Sequence, residues 1–318
     1  MWRYVVKRLL WMIPIILGVT ILIFTIMYVV PGDPARVILG MNATGEQLAA
    51  EREALGLNRP YLVQLGDYMQ RAFLHFDFGN SYINGRSVTH EILERLPYTI
   101  ILAAGAAVLM IVIGIPLGLT AAVNQYTWKD NLASFLALIF TSVPGFWLAS
   151  LLSILFCVKL KWLPATGVDS WKSFILPIVS NCMAGVTIMT RQTRSAMLEV
   201  IRSDYVVTAK AKGQEERKVI WHHAFRNALI PLITVAGNYF GLLLGGAMVI
   251  EIVFGIPGLG NYLLNNITTR DYPCVEGAVI VAAIMFSLVM LLTDILYAFV
   301  DPRIKAQFAG KKVKKINA

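Results

Sequence analysis

Apolar runs alternate with polar segments along the whole chain, and six of the runs are long enough to cross a membrane as helices. An α-helix needs about 17–25 residues to span the hydrocarbon core of a bilayer. The predicted spans cover residues 9–30, 97–123, 132–158, 174–190, 227–250 and 277–300. An even number of spans puts both termini on one side. The pattern therefore predicts an all-α integral membrane protein with six transmembrane helices.

Proline and glycine end or interrupt these runs. The sequence PGDP at residues 31–34 stops the first helix, and residues 114–118 and 144–145 predict kinks in the second and third. Residues 31–96 are polar, and two short helical patterns at 49–55 and 61–73 predict a small ordered outer lobe. The predicted domains are an N-terminal transmembrane helix (1–30), this lobe (31–96), a five-helix core with a polar loop at 191–226 (97–300), and a basic tail (301–318).

Composition and charge support a membrane protein and exclude two other classes. Hydrophobic residues make up 57% of the 318 residues, mean hydropathy is +0.64, and 15% of the residues are charged, whereas soluble domains contain about 25%. The net charge of +9 does not indicate nucleic-acid binding, because the basic residues lie in short segments between apolar runs. One side of the membrane holds 18 Lys and Arg and the other 10, so the positive-inside rule predicts cytoplasmic termini.

The basic tail predicts contact with membrane lipid. Lys311, Lys312, Lys314 and Lys315 lie among the last eight residues of the chain. Clusters of this kind are attracted to anionic lipid on the cytoplasmic leaflet. We therefore expect the tail to be a disordered anchor on that leaflet.

Sequence signatures of catalysis are absent. The chain contains no GxSxG, no HExxH and no Walker A sequence, so it does not bind ATP in the usual way. His222 and His223 are neighbours, which point in different directions on a helix and do not form a metal pair. Asp294 is the one acid inside a predicted span, and a structural or interfacial role fits it better than a proton or ion site. We expect a protein that is not an enzyme and has no cofactor of its own.

The long polar segment at residues 191–231 predicts a docking surface. It contains eight basic and four acidic residues. Residues 206, 209, 210 and 213 recur at steps of three and four, which indicates a helix that Gly213 then interrupts. The residues predicted to form the docking surface are Asp204, Tyr205, Ala209, Lys210, Ala211, Lys212, Gly213, Arg217 and Lys218.

Two further segments contain candidate functional residues. Residues 227–250 contain glycines at steps of four, which allow close helix packing either inside the chain or at a subunit boundary or pathway. The candidates there are Thr234, Gly237, Asn238, Gly241 and Gly245. The outer segment 251–276 is glycine-rich but lacks the Lys-Ser pair of a phosphate-binding loop, so contact with an external partner or with substrate fits better. The candidates there are Phe254, Pro257, Gly258 and Asn261.

Motifs distributed over nearly the whole chain resemble those of the inner-membrane permease subunits of bacterial ATP-binding-cassette (ABC) importers, in the dipeptide/oligopeptide/nickel group. They are PGDP at 31–34, LGLNRP at 55–60, DFGNS at 77–81, LPATG at 163–167, VFGIPGLG at 253–260, RDYP at 270–273 and DPR at 301–303. Each motif is weak alone, and the combination is specific. The resemblance implies the type I ABC importer permease fold.

The predicted docking segment is similar to the importer loop known as the EAA motif. Ala209 matches the second alanine of that motif and Gly213 its glycine, whereas Val207 and Thr208 stand where the glutamate and the first alanine would be. The peptide-type branch of the family has this variant form. The contacts of the glutamate are therefore not transferred to this chain.

The resemblance also implies partners and a mechanism. A separate ATPase would bind residues 203–220, and closure of the ATPase pair would switch the pathway from inward-open to outward-open. The implied partners are two ATP-binding subunits that hold ATP and Mg²⁺, a second related permease chain in a heterodimer, an extracytoplasmic substrate-binding protein, and membrane lipid. The implied location is the bacterial inner membrane.

Several alternatives stay open at the level of sequence. Peptides are the expected substrate, and nickel complexes and glutathione are imported by similar chains. An ion-coupled carrier that works alone and a membrane scaffold or sensor with this fold are functions of other classes. Uptake that survives ATP depletion but not loss of the proton gradient would identify the carrier.

Overall fold

The computed structural model describes residues 2–40 and 42–300, and this part of the chain is almost entirely helical. Its one extended pairing is an isolated bridge between Asn80 and Ser87. The predicted lipid-binding tail lies outside the described residues. The α-helices are α1 Trp2–Val29, α2 Pro34–Leu39, α3 Gly45–Ala54, α4 Tyr61–Leu74, α5 Val88–Val123, α6 Trp128–Ser142, α7 Gly145–Ser153, α8 Ile175–Ile201, α9 Asp204–Ala211, α10 Glu216–Lys218, α11 Phe225–Gly246, α12 Met248–Val253, α13 Leu259–Thr269 and α14 Tyr272–Val300. Two π-helical turns, Ile154–Lys159 and Val219–Ala224, and a 3₁₀ turn, Trp171–Phe174, complete them.

Helix length and hydropathy agree with the predicted spans. Among the described residues, five helical segments are long and apolar enough to cross a membrane. They are Val5–Val29, Val88–Val123, Trp171–Ile201, Glu216–Gly245 and Tyr272–Leu296. The remaining predicted span, 132–158, is the third along the chain, and it is a pair of helical segments bent by 89°. The described chain therefore has five spans, or six if the bent pair counts as one.

The bend lies where the sequence predicted a kink, and proline explains its sharpness. Val143 between the two segments has extended backbone angles, φ −91° and ψ 118°. A residue before proline is driven out of the helical region by the proline ring, and Pro144 has no N–H with which to continue the helix. A new helix then begins at Gly145.

The described chain divides into two compact units, each with its own buried core. The first contains residues 2–10, 101–243 and 287–300, and the second contains residues 11–100 and 244–286. The second unit extends beyond the predicted outer lobe, because the lobe packs with later parts of the chain. Its core joins Tyr68, Phe78 and Val88 to Tyr262 and Cys274.

In the first unit, the glycines that were expected to kink α5 allow it to pack closely on α8. Helix α5 is unbroken over its 36 residues. A Cβ atom added to Gly114 would lie 2.7 Å from the Cβ of Met189, and one added to Gly118 would collide with the carbonyl oxygen of Thr190. Small residues thus bring the two helices together, as they do in other membrane proteins.

Two ion pairs join distant parts of the first unit. Arg194 on α8 donates to both carboxylate oxygens of Asp130 on α6, at 2.7 and 2.8 Å. Asp130 is 4% exposed and also accepts the backbone N–H of Tyr126. Arg8 donates to Asp294 at 2.8 Å, which gives Asp294 the structural role that its position near a helix end indicated.

In the second unit, Asp33 organises the start of the outer lobe. Its carboxylate accepts the N–H of Ala35 at the first turn of α2 and pairs with Arg52 of α3 at 2.7 Å. The Arg52 guanidinium holds the pKa of the Asp33 carboxyl below its usual range. Pro34 occupies the first position of α2, where the missing N–H has no intrahelical partner to lose. The PGDP motif therefore ends one helix and begins the next.

Candidate functional site

Helix α9 is held against the core of the first unit by a buried face. Val206 is 1% exposed and Ala209 is 9% exposed. Both pack in a cluster that includes Met197 from α8 and Val219 and Ala224 from the π-helical turn. The buried positions are three residues apart, as a helix with one apolar face requires. The docking of α9 on the core fixes which of its side chains point outward.

Gly213 follows α9 in a left-handed turn. Its φ is +75°, and its N–H donates to the carbonyl of Lys210 at 2.9 Å. A Cβ atom added to Gly213 would meet nothing within 4 Å. Glycine is therefore required here by the backbone conformation and not by lack of space.

Opposite its buried face, α9 and the following turn present a surface that is partly apolar and partly basic, which we call the α9 surface. Its apolar members are Tyr205, Val207 and Trp221, which are 45%, 56% and 50% exposed. Its basic members are Lys210, Lys212, Arg217 and Lys218. Within the described residues these four cations form no ion pair. Aromatic side chains and arginine are enriched at protein–protein interfaces, whose rims are polar, and this surface has that composition.

Internal contacts hold the aromatic members of the α9 surface in place. The Tyr205 hydroxyl accepts a hydrogen bond from the Asn227 amide at 2.9 Å. The Trp221 ring packs edge-on against Phe225, with 5.4 Å between the ring centroids. Because both rings are fixed before any partner binds, their immobilisation adds little to the entropy cost of association.

Eight of the nine residues predicted for docking are exposed, and Ala209 is buried. The small side chain of Ala209 therefore serves packing inside this chain, whereas the sequence analysis expected it to seat a partner. Val207 and Trp221 are exposed on this surface but were not among the residues predicted from the sequence. The exposure of Val207 could have been predicted from helical periodicity. Val206 and Ala209 are three residues apart and share the buried face of the helix, so Val207 lies away from that face.

The candidate pathway residues on α11 have different environments. A Cβ atom added to Gly237 would collide with the Thr293 side chain of α14, so this glycine serves internal packing. Gly245 is exposed, with nothing within 4 Å of an added Cβ. Asn238 is an exposed amide within an apolar span. The other two candidates, Thr234 and Gly241, are half-buried and buried. A pathway role for this helix stays a prediction, and Asn238 and Gly245 are the two exposed candidates for it.

The four candidates in the outer segment also differ in exposure. Phe254 is 2% exposed and Gly258 is buried, so both are structural in this arrangement. Asn261 is half-buried, and Pro257 is exposed. Contact with an external partner stays a prediction, and of the four residues only Pro257 is fully available for it.

A buried carboxylate that the sequence analysis missed organises this outer segment. Glu251 is completely buried, and its Oε1 accepts the Thr99 hydroxyl at 2.6 Å. Its Oε2 accepts the backbone N–H of Asn261 at 2.8 Å, in the first turn of α13. A side chain on Gly258 would collide with this carboxylate. Glu251 thus supplies the cap that α13 lacks at its own N-cap position, Gly258.

Replacing Glu251 should change both stability and its dependence on pH. Burial raises the pKa of the Glu251 carboxyl. The folded state therefore binds a proton more tightly than the unfolded state, and Glu251 makes stability fall as pH rises above the ordinary carboxyl range. We expect Glu251→Gln to remove that fall, because an amide does not titrate in this range. The cap on α13 should be kept, because the amide oxygen can still accept the Asn261 N–H.

We expect Glu251→Ala to lower stability at every pH by about 2–4 kcal/mol, because it leaves buried donors without an acceptor. Thermal unfolding in detergent between pH 5 and pH 8 measures both effects. An unchanged pH slope in Glu251→Gln would contradict the assigned role.

Comparisons with known proteins agree with this architecture. Residues 114–306 match the family model described as the binding-protein-dependent transport system inner membrane component, and residues 1–103 match the model of its N-terminal region. An inward-facing structure of the MetNI methionine ABC transporter aligns with a TM-score of 0.54 and 18% identity, covering 66% of this chain and 96% of that one. The fold is therefore that of a type I ABC importer permease.

Curated relatives cover almost the full length of the chain. The glutathione transport system permease protein of Salmonella typhimurium is 41% identical, over 96% of this chain and 99% of the relative. A dipeptide transport permease of Alkalihalophilus pseudofirmus is 40% identical, over 96% and 100%. A putative peptide transport permease of Brucella abortus is 43% identical, over 95% and 98%. The chain belongs to the binding-protein-dependent transport system inner membrane family, the permease subunits of ABC importers.

Proposed function

We propose that this chain moves short peptides across the bacterial inner membrane, driven by ATP hydrolysis on separate subunits. An extracytoplasmic binding protein delivers the peptides. Relatives named as dipeptide, peptide and glutathione permeases support this class of substrate. The structural observation that supports the mechanism is the α9 surface, because it is an exposed, partly apolar and basic patch on a rigidly packed short helix.

In this proposal the α9 surface binds the ATPase subunit. Tyr205, Val207 and Trp221 pack into a groove of the partner, while Lys210 and Arg217 pair with acidic side chains around its rim. Helix α9 packs directly on residues of α8 and α11 in the core of the first unit. A movement of the ATPase that displaces α9 therefore also displaces α8 and α11. The chain contributes no ATPase chemistry of its own.

The remaining partners follow from the same arrangement. One chain has one α9 surface, so a pair of ATPases requires a second permease chain, which we propose to be a related but different subunit. The positive-inside distribution supports cytoplasmic termini and a cytoplasmic α9 surface. The outer lobe and the segment around Pro257 then face the binding protein.

Glutathione is the second candidate substrate, because the Salmonella relative named for glutathione transport is as similar as the dipeptide relative. Both substrates are short and have free terminal charges. Uptake of labelled dipeptide and of labelled glutathione, in a strain lacking this chain and in the complemented strain, separates the two. Uptake of neither, or uptake that follows the proton gradient instead of ATP, would refute the proposal.

The α9 surface can be tested by an acid substitution at Val207. We expect Val207→Asp to weaken co-purification of the ATPase roughly tenfold or more, because it puts a charge into an apolar contact. Val63→Asp is the matched control, since Val63 is 44% exposed on the outer lobe and its substitution leaves the α9 surface intact. If the two variants retain the ATPase equally, the docking site lies elsewhere.

A further inference from the structure

The second unit contains a cavity of about 1130 Å³ that is open to the surface and is lined mainly by residues of the outer lobe. The cavity is slightly larger than most small-molecule sites, which occupy roughly 300–1,000 Å³. Its wall includes the rings of Tyr82 and Tyr272, whose centroids are 6.4 Å apart. None of the residues that line the cavity belongs to the α9 surface or to the candidate pathway residues of α11, so the proposed docking does not account for its polar groups.

Most charged groups of this cavity are already paired. Arg52 pairs with Asp33 at 2.7 Å, and Arg59 pairs with Asp67 at 3.0 Å. Pairs of this kind hold their geometry within the lobe and leave little charge for a ligand. The charged groups that could bind a ligand are therefore those without an ion-pair partner.

Two charged groups that line the cavity, Glu276 and Arg71, stay without an ion-pair partner among the described residues. Glu276, in the first turns of α14, is 7% exposed, and it makes no hydrogen bond and no ion pair there. Arg71 is exposed and forms no ion pair among the described residues. A buried carboxylate without a partner is costly, so its presence indicates a binding role.

Two tyrosine hydroxyls in the wall of the same cavity give the same indication. Tyr68 and Tyr272 are 5% and 9% exposed, and their hydroxyl groups have no hydrogen-bond partner among the described residues. Both line the cavity. A carboxylate together with two hydroxyl groups can accept the three N–H bonds of a primary ammonium group, while a guanidinium nearby can bind a carboxylate in the bidentate manner.

We propose that this cavity is an extracytoplasmic site for a short unblocked peptide, with the ammonium group on Glu276 and Tyr68 and the terminal carboxylate on Arg71. The choice of a peptide rests on the proposed function. The charge pattern by itself specifies a zwitterion. The residues of this site belong to the outer lobe and the start of α14, and none of them is a candidate pathway residue of α11.

The test is equilibrium binding to the purified permease–ATPase complex, without binding protein and without ATP. The probes are dialanine, N-acetyl-dialanine and dialanine amide. We expect each blocked probe to bind the wild type roughly tenfold or more weakly than dialanine, because each loses one charged hydrogen-bonding group. Glu276→Gln should abolish the preference for the free ammonium, and Arg71→Gln the preference for the free carboxylate.

Matched controls lie on the same lobe but outside the cavity. Glu46→Gln and Arg36→Gln change exposed charges on α3 and α2 and should leave both preferences intact. Should Glu276→Gln fail to fold, the proposed site is still tested by the binding of the three probes to the wild type and to Arg71→Gln. No measurable binding of dialanine, or equal binding of all three probes, would overturn the site. Peptide uptake in cells is measured separately, so uptake without this binding refutes the site alone.

Discussion

Gly213→Val is expected to insert into the membrane and assemble normally, to retain ATP hydrolysis, and to lose at least about nine-tenths of peptide uptake. The reason is the backbone at Gly213, whose φ is +75°. A non-glycine residue in this region costs roughly 1–2 kcal/mol, and a β-branched residue costs more. Valine therefore shifts the turn into another conformation and moves Arg217 and Lys218 away from their places on the α9 surface. Uptake and ATPase rate in proteoliposomes measure the loss of coupling.

Gly213→Asn is the control for this variant. Asparagine tolerates the left-handed region better than valine, and space for a side chain is available, because an added Cβ meets nothing within 4 Å. We expect Gly213→Asn to keep most of the uptake. Wild-type uptake in Gly213→Val would show that the turn has no part in coupling, and equal loss in both variants would assign the effect to the side chain and not to the backbone.

Breaking the ion pair between Asp130 and Arg194 is expected to cause a large loss of stability. Removing one partner of a buried pair costs about 3–5 kcal/mol, because the other charge stays buried without compensation. The Asp130 side chain is 5% exposed and that of Arg194 is 31% exposed, so we expect a value near the lower end for Asp130→Asn. Since the pair joins α6 to α8, which leads into α9, uptake should fall together with stability.

The exposed pair of the outer lobe provides the comparison. Arg59 and Asp67 lie 3.0 Å apart with side chains 61% and 50% exposed, and such pairs contribute about 0–1 kcal/mol. We expect Asp67→Asn to leave the thermal midpoint in detergent almost unchanged and Asp130→Asn to lower it clearly. Similar midpoints for the two variants would mean that water reaches the Asp130 pair.

Prediction from sequence succeeded where one physical demand dominates. A bilayer requires about 20 consecutive apolar residues for each helix, so spans are visible in the order of residues. Five of the spans are continuous helices in the described chain, and the predicted kink at Pro144 is a sharp break. The family was likewise visible, because its motifs are distributed over nearly the whole length and each has a fixed local form.

Prediction failed where a residue's role depends on what it contacts. Glu276 was assigned to a loop, because the last predicted span began one residue later, whereas α14 begins at Tyr272. Glu251 was read as the start of a surface loop, and it is a buried cap on α13. Ala209 was expected to face a partner, and it packs inward. In each case the local sequence is compatible with either role. Contacts with residues that are distant in the sequence decide which role the residue has.

The linear order of apolar and polar residues was enough to predict a multi-span permease and its family, because both depend on local periodicity and motif. The same local signals also led to the proposal that α9 binds an ATPase. Which face of α9 is free, which acids are buried and which charges stay unpaired around the outer cavity followed from folding alone. Burial and pairing depend on contacts between groups that are far apart in the chain, such as Thr99 and Glu251 or Asp130 and Arg194. No local sequence pattern specifies such contacts.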